Sequence, residues 1–328
     1  MLLRIASLVG VLLVLTLAVF FIQRTLPADP VRLLVGRNAT PEVVAATRTR
    51  LGLDDPFALQ YVHFLGRLLH GDAGTSLRTR NPVSADVLRY LPATLELVAV
   101  ATVIAVLGGL LLGVLSARGG WVSGVVRLLT VAGSSSATFL VAIVAILVLY
   151  RNLGWFPAGG RSGEFSSSKP TGFLLVDTLL GGDLPGWLDA LHHIVLPAAV
   201  LAVGSTVAIG RTLRGSLRRV LGSEFIRSAH AKGFTWSQVN RRHALRNSAN
   251  PALSMAGLQV GALFSGSIVV ELVFSWPGVG GYLANSIGAA DFPAITGVVL
   301  VLGVVYVVIN FVVDMLQLAV DPRLRRAR

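Results

Sequence analysis

Residues 5–22, 97–117 and 128–150 each run about the thickness of a bilayer without one charged side chain. A hydrocarbon core takes roughly 20 predominantly apolar residues to cross as a helix. Inside it, every backbone N–H and C=O must be paired within the segment. Residues 194–210, 251–270 and 292–313 complete a set of six such stretches. A chain built this way is expected to be all-α and polytopic, with six transmembrane helices. Arg4 ahead of the first run resembles the start of a signal peptide. The run is long for that, and no small-x-small cleavage site follows in Thr25-Leu26-Pro27-Ala28-Asp29. Residues 1–26 are therefore read as an uncleaved first helix.

Charge agrees with that reading. Only 13% of residues are charged, against about 25% in soluble domains. The net charge of +12 falls between apolar runs rather than on a soluble face, which favours a topology signal over nucleic-acid binding. With no cysteine in the chain, disulfides, thiolate zinc sites and cysteine nucleophiles are excluded.

Arginine placement gives an orientation. Residues 211–246 carry Arg211, Arg214, Arg218, Arg219, Arg227, Lys232, Arg241, Arg242 and Arg246 against Glu224 alone. The tail adds Arg323, Arg325, Arg326 and Arg328. The alternate loops are mixed or acidic, with Glu164, Asp177, Asp183 and Asp189 against Arg151, Arg161 and Lys169. Both termini are expected in the cytoplasm. Residues 27–91 then form an extracytoplasmic segment, with short helices over 41–70 opened by Thr40-Pro41-Glu42. Residues 92–328 form a core of five spans, with a cytoplasmic loop at 211–250.

That loop is the most informative stretch. Ser223 is placed to cap a helix through Lys232, and Gly233 is a natural stop because glycine adopts the left-handed conformation. Thr235-Trp236-Ser237-Gln238 matches a capping box that restarts a second helix, and Asn250-Pro251 ends the loop at the membrane. A helix, a glycine break and a second basic helix suit a mechanical contact with a partner. They equally suit a hairpin lying on anionic lipid.

Other motifs have plainer readings. Glu96, Glu271 and Asp314 sit at the edges of apolar runs, where an acid either serves translocation or forms a structural ion pair. Trp276-Pro277-Gly278-Val279-Gly280-Gly281 lacks the Lys-Ser/Thr ending of a phosphate loop and reads as a tight turn. Gly109/Gly113 and Gly257/Gly261 read as helix-packing pairs. His192 and His193, adjacent on a helix, point about 100° apart and make a poor chelate. No catalytic constellation and no metal site emerge.

The run Glu224-Phe225-Ile226-Arg227-Ser228-Ala229-His230-Ala231-Lys232-Gly233, followed by Arg242-His243-Ala244-Leu245-Arg246-Asn247, resembles the coupling loop of the oligopeptide/dipeptide/nickel permease family of binding-protein-dependent ABC importers. Against the general importer pattern Glu-Ala-Ala-x-x-x-Gly, Arg227 and Ser228 replace the glutamate and first alanine. Gly52-Leu53-Asp54-Asp55-Pro56, Gln60-Tyr61, Gly71-Asp72-Ala73-Gly74-Thr75-Ser76 and Leu91-Pro92-Ala93-Thr94-Leu95-Glu96-Leu97 are also similar to that family. So are residues 271–280, Asp314 and Asp321-Pro322-Arg323.

The resemblance implies a type I ABC importer permease fold in the bacterial inner membrane, working by alternating access. It implies as partners a second homologous permease, two ABC ATPase subunits that bind ATP and Mg²⁺, and an extracytoplasmic peptide-binding protein. This chain itself would hold no cofactor. Arg227, Ser228, Ala229, Gly233 and Phe234 are the expected ATPase-coupling residues, and Glu96 and Glu271 the candidate pathway residues. The expected cargo is a dipeptide or oligopeptide. Nickel or another small ligand is the alternative within the family, and a stand-alone secondary transporter the alternative outside it.

Overall fold

The computed structural model describes residues 2–25, 40–50, 54–117, 120–163, 171–235, 238 and 244–320. Among the described residues the secondary structure is helical apart from one isolated antiparallel bridge, Thr75 to Pro82. In chain order the helices are α1 (Leu2–Thr25), α2 (Pro41–Arg50), α3 (Phe57–Leu69), α4 (Val83–Ala117), α5 (Gly120–Ser135) and α6 (Thr138–Ala145). A π-helical stretch, Ile146–Asn152, continues α6. Then come α7 (Leu174–Leu180), α8 (Leu184–Leu221), α9 (Glu224–Ala231), α10 (Leu245–Val273), α11 (Val279–Gly288) and α12 (Phe292–Val320).

Among the described residues, four helical stretches are long and apolar enough to cross a membrane: Val83–Ala117, Leu184–Leu221, Ser248–Val273 and Phe292–Val313. Two shorter apolar stretches, Val9–Phe21 and Thr138–Asn152, coincide with the first and third predicted runs. The third run differs from expectation in being broken. α5 ends at Ser135, Ala137 is extended, and α6 starts anew. The interruption falls after Gly133-Ser134-Ser135-Ser136, a run of residue types with low helix preference.

The chain divides into two compact units. The first comprises Met1–Tyr90 and Tyr282–Val308. There, Val19 and Phe20 of α1 bury against Phe64 of α3 and Leu300 of α12. Phe20 meets the rings of Phe57, Tyr61 and Phe64 at 5.3–5.6 Å. Tyr61, Phe64 and Leu68 recur at helical spacing, so one stripe of α3 faces α1. The Tyr61 hydroxyl donates to Leu13 O at 3.1 Å. The short helices expected over 41–70 are present, and α2 opens on Pro41 as read.

The second unit comprises Leu91–Gly281 and Ile309–Arg328. Its axis is α8, a 38-residue helix of about 57 Å, which exceeds the roughly 30 Å hydrocarbon core. Asp183 caps it by accepting from Gly186 N at 2.9 Å. Around it pack α5, α6, α7 and α10. The close approach of α4 depends on glycine. A Cβ on Gly109 would sit 2.7 Å from the Ile209 side chain, and one on Gly113 2.7 Å from Leu213. Gly109→Val is therefore expected to overpack this crossing and cost about 1–3 kcal/mol. A lowered melting temperature in detergent, with Gly109→Ala less affected, is the check.

Candidate functional site

The predicted coupling segment lies in the second unit, between the ends of α8 and α10. α8 continues to Leu221 and α10 begins at Leu245 with Pro251 inside it, so both helices reach well into the expected 211–250 loop. Between them lies α9, where Ile226 is the buried residue among the described side chains. Ile226 is 2% exposed, packed by Val220 and Leu221 at the end of α8 and by Phe234. Gly233 has φ of +85° with open space around it, the left-handed stop that its residue type suggests. Beyond it the capping box is formed reciprocally: Thr235 N donates to Gln238 Oε1 at 2.9 Å, and Gln238 N to Thr235 Oγ1 at 3.4 Å. Ser223 behaves differently from expectation. Its hydroxyl donates back to Val220 O at 2.5 Å, which ties it to the turn before α9.

Of the residues singled out, Ser228 is exposed and donates to Glu224 O at 3.1 Å. Phe234, which the sequence offers to a partner, rests partly on Ile226. Arg227 and Ala229 lie on α9, with side chains outside the described part. Residues 239–243 and 321–328, and the side chain of Asp314, also lie outside it.

Glu96 and Glu271, in the same unit, are both engaged within the chain. Arg161 donates to Glu96 Oε2 from Nη2 at 2.5 Å and from Nε at 3.2 Å. Nη2 also donates to Gly172 O at 2.8 Å. Leu175 N donates to Glu96 Oε1 at 2.7 Å. The pair is 6% and 10% exposed and fastens the segments on either side of residues 164–170 to the start of the second apolar run. Glu96 also borders an apolar groove of about 590 Å³, with Leu95, Ala99, Thr102, Phe173 and Phe264.

Glu271 closes a tighter knot. Its Oε1 accepts from the Thr94 hydroxyl at 2.7 Å, and its Oε2 from Gly280 N at 2.7 Å and Gly281 N at 3.2 Å. Thr94 Oγ1 in turn accepts from Val279 N at 2.9 Å, and the Trp276 indole donates to Ala93 O at 3.0 Å. A Cβ on Gly278 would lie 2.4 Å from the Glu271 carboxyl, and one on Gly280 2.7 Å from the Ile268 Cα. Gly278 is thus demanded by the carboxylate, and Gly280 by the Ile268 backbone together with that carboxylate. A buried carboxylate is tolerated when donors surround it, as here.

The sequence did not reveal Arg161 as the partner of Glu96. Thr94 and Trp276 stand inside quoted motifs, and that was their signal. His192 Nε2 lies 2.7 Å from Trp155 O, and His193 Nδ1 2.8 Å from Asp189 O. Among the described residues no group of three or more His, Cys, Asp or Glu could hold a metal ion.

Residues 109–326 match the family model described as binding-protein-dependent transport system inner membrane component, and residues 1–98 match its N-terminal companion. The chain is 38% identical over 311 residues to the probable D,D-dipeptide transport system permease protein DdpB of Escherichia coli (strain K12), covering 94% of this chain and 92% of that protein. It is 39% identical over 317 residues to the di/tripeptide transport system permease protein DppB of Pseudomonas aeruginosa (strain UCBPP-PA14), covering 95% and 94%. With the glutathione transport system permease protein GsiC of Salmonella choleraesuis (strain SC-B67) it shares 35% over 325 residues, covering 98% and 97%.

Proposed function

The chain belongs to the binding-protein-dependent transport system inner membrane components, and from that premise we propose that it is a permease subunit of an ATP-driven peptide importer. The observation that carries the peptide assignment is identity of 38–39% over nearly the whole chain to permeases named for dipeptides and di/tripeptides. The chain is a multi-pass inner-membrane protein with both termini in the cytoplasm, as the arginine asymmetry favours. Residues 27–91 face outward, and residues 92–328 form half of the translocation pathway with a second homologous permease. Two ATPase subunits bind ATP and Mg²⁺ and supply the energy. An extracytoplasmic peptide-binding protein delivers the cargo.

Coupling runs through α9 and the Gly233 bend. Ile226 packs on Val220 and Leu221 at the end of α8 and Phe234 packs on Ile226, so a push on α9 is passed to that helix through this contact. Arg227, Ser228 and Ala229 are the proposed contact residues for the ATPase, since the small Ala229 suits close approach. Glu96 and Glu271 act at the outer ends of the spans, holding the entrance in shape.

The test is to tag the chain, extract the assembly in mild detergent, identify its companions and measure labelled dipeptide uptake after reconstitution. Recovery of a second permease and ATPase chains, with uptake that requires ATP, is expected. A chain recovered alone and active in liposomes without ATP would be a self-sufficient transporter.

A further inference from the structure

Within the first unit, residues 71–82 form a loop, tied by its own backbone hydrogen bonds, that leads into the first turns of α4. Gly71 and Gly74 have φ of +77° and +88°. Thr75 and Pro82 pair across the loop, Ser76 N donates to Asn81 O at 2.9 Å, and Arg80 N donates to Ser76 O at 3.0 Å. Arg80 itself has φ of +60°, a conformation uncommon outside glycine and one that clusters at functional sites.

Two buried carboxylates hold this loop from within. Asp86 accepts from the Thr79 hydroxyl, from Asn81 Nδ2 at 3.1 Å and from the Tyr282 hydroxyl at 3.0 Å. Asp291 accepts from the Ser76 hydroxyl at 2.5 Å and from Arg78 N at 3.1 Å. Burial, and then the Asp86 contact, push Tyr282 up to about 12, so it stays a donor. Asp72 is exposed and accepts from Gly74 N at 2.9 Å.

The cations are arranged oppositely. Arg78, Arg80 and Arg89 are all exposed. The Arg78 guanidinium lies 5.5 Å from the centre of the Tyr282 ring, Tyr282 stacks on Tyr90 at 5.2 Å and 20°, and Arg89 lies 6.0 Å from the Tyr90 ring. Two tyrosines are thus sandwiched between two arginines. Such stacking orients a guanidinium while leaving its N–H groups available for bidentate bonds to carboxylates. Asp86 and Asp291 are buried, Asp72 is exposed, and three arginines stand exposed, Arg78 and Arg89 set against tyrosine rings.

We propose that Arg78, Arg80 and Arg89 form a docking surface for a carboxylate-bearing face of the extracytoplasmic binding protein. The proposal rests on the importer reading above. A folded acidic partner is favoured over lipid because the ring-stacked guanidinium groups of Arg78 and Arg89 keep a spacing that matters to a rigid surface, whereas mobile headgroups adapt to any spacing. Charges of this kind act mainly on encounter rate and salt dependence.

The test uses the complete importer in phosphatidylcholine nanodiscs, with the extracytoplasmic peptide-binding protein of the same system, purified separately, as probe. ATP hydrolysis is followed against binding-protein concentration at low and high salt. The Arg78→Gln/Arg80→Gln/Arg89→Gln variant is expected to raise the half-saturating concentration about tenfold at low salt. Its maximal rate is expected to stay unchanged and the wild-type salt dependence to be lost. The corresponding triple lysine variant, which keeps the charge but not the stacked planar fork, is expected to restore the salt dependence and part of the low-salt response. Unchanged half-saturation in the glutamine variant would overturn the proposal, as would a defect confined to nanodiscs containing phosphatidylglycerol, the mark of a headgroup site. A glutamine variant that fails to assemble, paired with a lysine variant that assembles but responds as weakly at low salt as at high, would also overturn it. No stimulation of the wild-type importer would overturn the importer reading and this surface with it.

Discussion

Gly233→Pro is expected to reduce ATP-driven peptide uptake to background while the amount of chain in the membrane stays unchanged. Proline fixes φ near −65°, and Gly233 has φ of +85°, so the bend between α9 and the capping box cannot form. Ile226 and Thr235 then lose their relative placement, and α9 no longer meets a partner at the angle set by the end of α8. Gly233→Ala separates conformation from crowding. Nothing lies within 4 Å of a Cβ at this position, so alanine meets only the left-handed strain of about 1–2 kcal/mol and is expected to leave partial uptake. Vesicle uptake alongside immunodetection of the chain is the measurement. Full uptake by the proline variant would remove the bend from the coupling mechanism.

Glu271→Ala is expected to have the largest effect on stability, because three donors lose their acceptor together. Gly280 N, Gly281 N and the Thr94 hydroxyl all converge on this carboxylate, and Glu271 is 1% exposed. Stranding buried donors and leaving a void costs about 3–5 kcal/mol, equivalent to a fall of roughly 10 °C in melting temperature for a chain of this size. Glu271→Gln keeps an oxygen for the two glycine N–H groups and is expected to fall in between. Thermal unfolding of the purified assembly distinguishes two roles. An alanine variant that melts normally yet fails to transport would place Glu271 in the pathway rather than in the fastening of the turn.

Local chemistry was legible in the sequence where a single residue type answers a single backbone need. Gly233, the Thr235–Gln238 box, Pro41 at the start of α2 and the glycines at 109 and 113 are of this kind. The apolar runs gave the helix positions because lipid imposes one requirement on every residue of a span. What the sequence hid depends on partners far along the chain or on competition between neighbours. Arg161 is one arginine in a loop, 65 residues from the Glu96 it pairs with, and no spacing rule joins them. Phe234 looked like a free apolar anchor because Ile226 reads as just another position on a short helix. The break at Ser136 was masked by apolar residues on both sides, which keep the run continuous in composition though not in backbone. Ser223 stood where a cap belongs, yet its hydroxyl reaches backwards to Val220.

The Glu271 knot also bears on the order in which the chain is made. Thr94 precedes its carboxylate partner by 177 residues, and Ala93 precedes the Trp276 indole by 183. When the second apolar run leaves the ribosome, neither acceptor nor indole exists, and they arrive only after the residues up to Gly281 have been synthesised. Until then the Thr94 hydroxyl and Ala93 carbonyl stand at the membrane face without these partners, where unmet polar groups are costly. Completion of the turn after α10 is therefore the step at which the start of the second apolar run gains these two partners, so that this part of the fold closes only when nearly the whole chain has been made.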